Sequence, residues 1–390
     1  MKFFYSLIKW LIGIVLGLPL IVYLLLILLN ISDDDKSDKV IEFEQFMLNR
    51  ATVDDKGNGF VYAAGLSASS ANDFYLAGVE KIKQANRITS LSATPLATSE
   101  QEHWNTSKET FHSLVAGCGD PIKFNEACNT YLLGKTEEID KFLTDSKILI
   151  HRYEIMTSQR YWYESIQANV HNYLSVLPWF HGHKVFMLNV WREATKGNVD
   201  TVTLSLQQDS VFWRNTMIST HSLLHFSMTT ILMQQNYLWG SFALKNFSVN
   251  EVPQTMPDDW HRSLIETPFS FDNIVIGEWQ FANAIFQDSH DSDDWFSVFM
   301  KPLFNLQSTL NLYAEKLIES AQSKQNNLEN STVISNCQKT SSPSVLYWYS
   351  YNPIGKLFVC VGGPTLKAYE NRILIAEEDR LAAIAFQQVN

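Results

Sequence analysis

The sequence predicts a mainly α protein: a single N-terminal transmembrane helix followed by an irregular, helical-hairpin extracytoplasmic domain with disulfides. Three observations lead there. Residues Trp10 to Leu29 run twenty positions without a charge. The rest of the chain repeats apolar residues at three- and four-residue steps, with few alternating runs. All four cysteines lie beyond the apolar opening. With 46% apolar, 13% aromatic and 18% charged residues, the 390-residue chain can bury a sizeable core, and 16 Gly and 11 Pro are too few for a fibrous or low-complexity polypeptide.

At about 1.5 Å per residue, the apolar opening matches a hydrocarbon core of roughly 30 Å, so residues 10–30 are expected to be a signal anchor in the bilayer. A cleavable signal has a shorter apolar region, about 7–15 residues, and small residues at the cut. Here the exit reads Leu29, Asn30, Ile31, Ser32, Asp33. Lys2 and Lys9 precede the span and Asp33, Asp34 and Asp35 follow it. The positive-inside rule therefore makes residues 1–9 a cytoplasmic tail and the bulk of the chain periplasmic or extracytoplasmic, outside an inner (cytoplasmic) membrane crossed once. Gly13 and Gly17 match a small-residue helix-packing motif, a pattern too short to specify a dimer.

An even number of cysteines in an exported domain favours disulfides over free thiols. Four allow three pairings, of which Cys118–Cys128 and Cys337–Cys360 clip local loops. A zinc site is the alternative, but there is no C-x-x-C pair and no His-x-x-x-His lies near the cysteines in sequence. The chain carries 30 Lys and Arg against 41 Asp and Glu, and setting Lys2 and Lys9 aside deepens that excess outside the membrane. Nucleic acid and anionic surfaces repel such a domain.

Residues 31–39 read as a charged, flexible spacer, residues 40–322 as the α-helical outer domain, and residues 323–390 as a polar connector with a C-terminal helical hairpin. Val40 to Arg50 has helical spacing. Asp54 to Gly59 is a turn cluster that lacks the terminal Glu of a calcium loop, position twelve being Gly65. Ala71 to Asn86 reads as a helix with Asp73 near its start, and residues 90–110 as loop. Asn125 is an N-cap that places Cys128 in a first turn facing Cys118. A long helix is expected from Thr136 through Met156, with Ile139, Phe142, Leu143, Ile150 and Tyr153 on its inner stripe.

From His183 to Thr220 two helical runs flank Lys196-Gly197-Asn198, a helical hairpin that is TPR-like in shape and lacks that repeat's sequence pattern. Ser219 to Asn236 is expected to continue helical, as are Ile274 to Phe286 and Trp295 to Gln322, the last interrupted by Pro302. Asn352-Pro353 opens a short helix ending at Gly362, and Pro364 opens the final one. The best strand candidate is residues 345–351.

The search for chemistry is short. Nucleophile-elbow, phosphate-loop, dinucleotide and His-Glu-x-x-His motifs are absent. His221 and His225 form an i, i+4 pair expected to share a helix face, and His181 and His183 sit on a predicted loop. These four are the candidate metal or acid–base cluster; packing histidines are the plainer reading. The acidic run from Asp288 to Asp294 reads as a solvated turn rather than a cation site. Trp162, Trp179, Trp191, Trp213 and Trp239 alternate with helical stripes and are expected in the core.

The sequence resembles no family of known activity, and no cofactor is expected. Anchor, acidic helical body and missing catalytic motifs favour a binding protein, a scaffold or accessory subunit of an envelope assembly with lipid and an envelope protein as partners. An anchored hydrolase of cell-wall or polysaccharide material, metal-assisted through the four histidines, is the alternative.

Overall fold

The computed structural model describes residues 2–48, 56–69, 73–87, 99–119, 122–166, 175–247, 256–265, 271–291, 295–322, 333, 337, 348–362 and 366–389. Among them the protein is mainly α-helical, with no strand and one isolated bridge between Asn58 and Tyr161. Of the strand candidate, residues 345–347 lie outside this set and residues 348–351 form helical turn and bend rather than strand, since the Asn30 side chain holds the Ser350 carbonyl and the Asn352 amide; Pro364 also lies outside. The chain divides into two compact units, residues 1–50 with 275–366, and residues 51–274 with 367–390, instead of one body over 40–322.

In the first unit, α1 (Lys2–Leu29) is a 28-residue helix whose described side chains from Gly13 onward are mostly exposed. Counted over the described residues, no helix is long and apolar enough to cross a membrane. At the end of α1, Asn30 turns inward, and its side chain donates to the Leu26 and Ser350 carbonyls and accepts from the Asn352 backbone at 2.5 Å. Asn352 has φ +48°, a left-handed conformation that Asn tolerates. Its carboxamide accepts from the Gly355 and Asn305 amides and donates to Thr309. It thereby caps α15 (Pro353–Val361), as the Asn-Pro pair foretells.

The spacer is not the free tether the sequence suggests. Asp33 accepts from the amides of Gln307 and Ser308 at 2.7 and 2.9 Å, in the first turn of α14 (Leu306–Gln322), where a carboxylate meets the positive helix end. Asn311 bonds the backbone of Ser37 and Asp35. The helix expected from Trp295 to Gln322 breaks into α13 (Trp295–Met300), a 3-10 turn Lys301–Leu303 and α14, because Pro302 withholds an amide and Asn305 is held by Asn352. Phe43 of α2 (Asp38–Leu48) packs on Trp279 of α12 (Asp272–Asp291), and the buried Phe286 and Phe304 form an aromatic cluster with the more exposed Phe358.

The second unit begins with α3 (Gly59–Gly65) against α4 (Phe74–Arg87), which Asp73 caps. The backbones nearly touch: a β-carbon on Gly65 would lie 1.7 Å from the Phe74 carbonyl, and one on Gly78 1.9 Å from that of Val61. Residues read as loop form α5 (Ser99–Val115), where polar composition hides a helix. Cys118 and Cys128 are bonded beside the Asn125 cap of α6 (Glu126–Leu133), and Cys337 is bonded to Cys360 in the first unit, the two local pairings. Ser146 splits the expected long helix into α7 (Thr136–Asp145) and α8 (Lys147–Thr157); Ile139, Phe142, Leu143, Ile150, Tyr153 and Met156 are buried nonetheless.

The helical hairpin is present as α9 (Leu177–Thr195) and α10 (Val199–Ser219), reversed at Gly197 with φ +81°. α9 starts earlier than expected, from Pro178 in its first turn, so His181 and His183 lie on a helix, not a loop. α10 does not run on into α11 (Leu223–Leu244), because Thr220 is extended and residues 220–222 separate the two helices. All five sequence-flagged tryptophans are buried.

Residues 256–265 are stapled from two sides. Arg214 of α10 pairs with Asp259 through Nε and donates to the carbonyls of Asp259, Arg262 and Ser263. Glu377 of α16 (Leu366–Val389) accepts from Ser263 and the Leu264 amide, while Arg380 donates to Glu377 and to the Trp260 carbonyl. Trp260 is thus driven against Gly240, where a β-carbon would lie 2.7 Å from its ring.

Candidate functional site

The four candidate histidines fall into three settings in the second unit, with His221 and His225 both at Glu164 and His183 and His181 each elsewhere. His183 points from α9 into a fully buried network centred on Asp209 of α10, with Nε2 3.2 Å from Oδ2. Asp209 also accepts from Tyr153 at 2.5 Å, Trp213 at 3.1 Å and Asn236 at 2.8 Å, and Trp260 donates to the Asn236 carboxamide oxygen at 2.9 Å. Burial, reinforced by the Asp209 charge, pushes the Tyr153 hydroxyl well above its usual range. Helices α8, α9, α10 and α11 meet here through polar contacts that specify their register. Only the Nδ1 of His183 lacks a hydrogen-bond partner in this group among the described residues.

His225 lies in the first turn of α11 with Nδ1 2.9 Å from Glu164, and the Phe60, Trp162 and Trp179 rings surround it at centroid distances of 5.8, 6.3 and 5.1 Å. Glu164 also accepts from Trp162, Thr220 and the His221 amide. Burial favours the neutral acid, but the His225 charge and hydrogen bond, then the Thr220 hydroxyl and the His221 charge, prevail and bring Glu164 down to about 2. His221 precedes α11, so it and His225 do not share a helix face: Glu164 draws the 220–222 segment out of helical form, a long-range contact that spacing cannot reveal.

His181 is buried elsewhere on α9, with Nε2 2.8 Å from Ser107 Oγ of α5 and its ring 6.2 Å from Phe111. Burial first, then the charges of Lys184, His112 and Lys108, lowers it to about 4. It is a neutral imidazole at pH 7, poised to exchange a hydrogen bond with a hydroxyl. Ser107 lay unnoticed because it falls in the segment read as loop.

A cavity of about 450 Å³ opens among α7, α8 and α9, lined by residues including Asp140, Lys147, His151, Glu154, Asn189 and Lys196. Arg192 binds Asp140 with two bonds of 2.7 Å and lowers its carboxyl below the usual range, while burial raises that of Glu154. The mixed charge suits a small zwitterion or a charged side chain. No motif marks it, because its residues come from three helices.

Among the described residues, no three His, Cys, Asp or Glu side chains are arranged to hold a metal ion, and no free cysteine is present. Residues 292–294 of the acidic run and 54–55 of the discounted calcium loop lie outside the described set. Compared with protein-family models, curated proteins and solved structures, the chain matches none.

Proposed function

We propose that the protein is a single-span, membrane-anchored extracytoplasmic protein, periplasmic in a bacterial cell, that works by binding as a scaffold or accessory subunit of an envelope assembly. The observation that carries binding over catalysis is the separate engagement of the candidate catalytic side chains below the surface: His183 with Asp209, His225 with Glu164, His181 with Ser107. Held this way, these side chains tie neighbouring elements together in the interior, and their separation supports binding over a metal-assisted hydrolase, which needs a shared cluster.

Support for the anchor comes from the uncharged run Trp10 to Leu29 and the outward-facing Ile14, Leu16, Leu18, Leu20 and Leu24 of α1. The paired cysteines suit an oxidising compartment. The TPR-like α9–α10 hairpin adds the kind of helical surface that binding modules stack. Mild crosslinking of intact membranes followed by extraction should return the chain from the membrane fraction with one defined partner. Repeated recovery as a lone species would refute the scaffold role, and release by alkaline carbonate would refute the anchor.

A further inference from the structure

The anchor does not stand alone in the first unit. Tyr23 of α1 donates its hydroxyl to the backbone carbonyl of Phe299 at 3.0 Å, and the turn Lys301–Leu303 packs on the same helix. Phe299 lies in the last turn of α13, where carbonyls have no partner within the helix, and a phenol in an apolar span likewise needs an acceptor. Each group answers the other's need.

The contact also sets a depth. Tyr23 lies six residues before Leu29, about 9 Å along a helix axis at ~1.5 Å per residue. A helical side chain leans toward its own N-terminus, so the Tyr23 hydroxyl lies at that level or deeper. If Leu29 marks the outer edge of the hydrocarbon, the Phe299 carbonyl lies below that edge, near the deep end of the roughly 5–10 Å to which interfacial helices sink. On α13 the described side chains of Val298 and Phe299 are 61% and 56% exposed, as open as Leu18 and Leu20 on α1 at 60% and 57%.

We infer that α13 is an interfacial wedge whose Val298 and Phe299 side chains insert into the headgroup–acyl boundary of the outer leaflet beside the anchor, so that lipid is the partner of this exposed apolar surface. The inference rests on the anchor reading given above and extends it from one helix to a two-point seating. A lone span leaves the attached unit free to tilt and rotate; a wedge beside it fixes one face of that unit against the bilayer.

The test uses the full chain in phospholipid vesicles. Its native cysteines are paired, so a single introduced cysteine takes a spin label alone. Labels go on V298C, on L16C within α1, and on E42C, an exposed acid of α2 as aqueous reference. Accessibility to oxygen, which concentrates in lipid, is measured against accessibility to a water-soluble nickel chelate. The expected result is an oxygen-to-nickel ratio severalfold higher at 298 than at 42, and lower than or equal to that at 16. A lipid-like ratio at 16 with a water-like ratio at 298 overturns the wedge and leaves the anchor standing. A label at 298 shielded from both reagents, as a protein cover would make it, also overturns the wedge. A water-like ratio at 16 overturns both.

Discussion

Replacing Arg214 by Met tests whether the loop from 256 to 265 is held by a buried ion pair. The guanidinium is fully buried and makes two contacts to the Asp259 carboxylate, at 2.9 and 3.0 Å, and three to the carbonyls of Asp259, Arg262 and Ser263. Met fills similar volume but supplies no donor. It leaves a carboxylate of 1% exposure with Ser210 and, at 3.5 Å, the exposed Arg262 as its remaining side-chain donors, and strands the buried Asp259 carbonyl. Breaking one side of a buried pair costs roughly 3–5 kcal/mol. Against a typical total of about 5–15 kcal/mol, the loss is large. Urea unfolding of the full chain in mild detergent, followed by tryptophan fluorescence, should show the extrapolated unfolding free energy fall by that amount, with the midpoint lowered in proportion and the slope unchanged. Removing both charges, as Arg214→Met with Asp259→Leu, should recover at least about half of the loss, since an apolar pair requires no desolvated charge. A single-variant cost below about 1 kcal/mol, or a double variant no better than the single, would refute the reasoning.

Close backbone packing should make Gly78→Ala cost about 1–3 kcal/mol or more, since its β-carbon would meet the Val61 carbonyl at 1.9 Å, whereas Gly13, with nothing within 4 Å, should accept Ala without effect; thermal midpoints of the two variants check this. Glu164 is lowered from 4.5 to about 2, so the stability it contributes is complete above pH 4.5 and is lost as pH falls toward 2, and Glu164→Gln should flatten the stability–pH curve in that window. His181 is lowered from 6.5 to about 4 because the fold resists its protonation; stability should decline as pH falls from 6.5 toward 4, and His181→Asn should remove that part of the acid sensitivity. Under native reducing conditions, mass spectrometry should find the half-buried Cys337 and Cys360 alkylated before the buried Cys118 and Cys128, and the reverse order would contradict the burial pattern.

Much of the fold was legible along the chain because it is local. The Asn125 and Asn352 caps, the turn at Gly197, the buried stripe of α7 and α8 and the neighbouring cysteine pairs each depend on residues a few positions apart. Where the reading failed, a distant group had intervened. Glu164 draws Thr220 and the His221 amide out of helical form, and Asp33 fastens a spacer that composition alone describes as solvated. The Ser99–Val115 helix was missed for a different reason, since polar residues carry a weak apolar period.

The candidate site divides in the same way. Residue type picked out His181, His183, His221 and His225, but whether they form a cluster is a question of where helices cross, and the crossing distributed them to Ser107, Asp209 and Glu164. The amino-acid order by itself determined that the chain is helical, acidic, rich in buried tryptophan and headed by an apolar helix, because composition and short-range spacing act before any tertiary contact forms. Only the folded structure decided which charges pair in the interior, which loop Arg214 holds, and that Tyr23 and Phe299 meet: contacts spanning tens to hundreds of residues form where many weak preferences are satisfied together, and no local pattern encodes that sum.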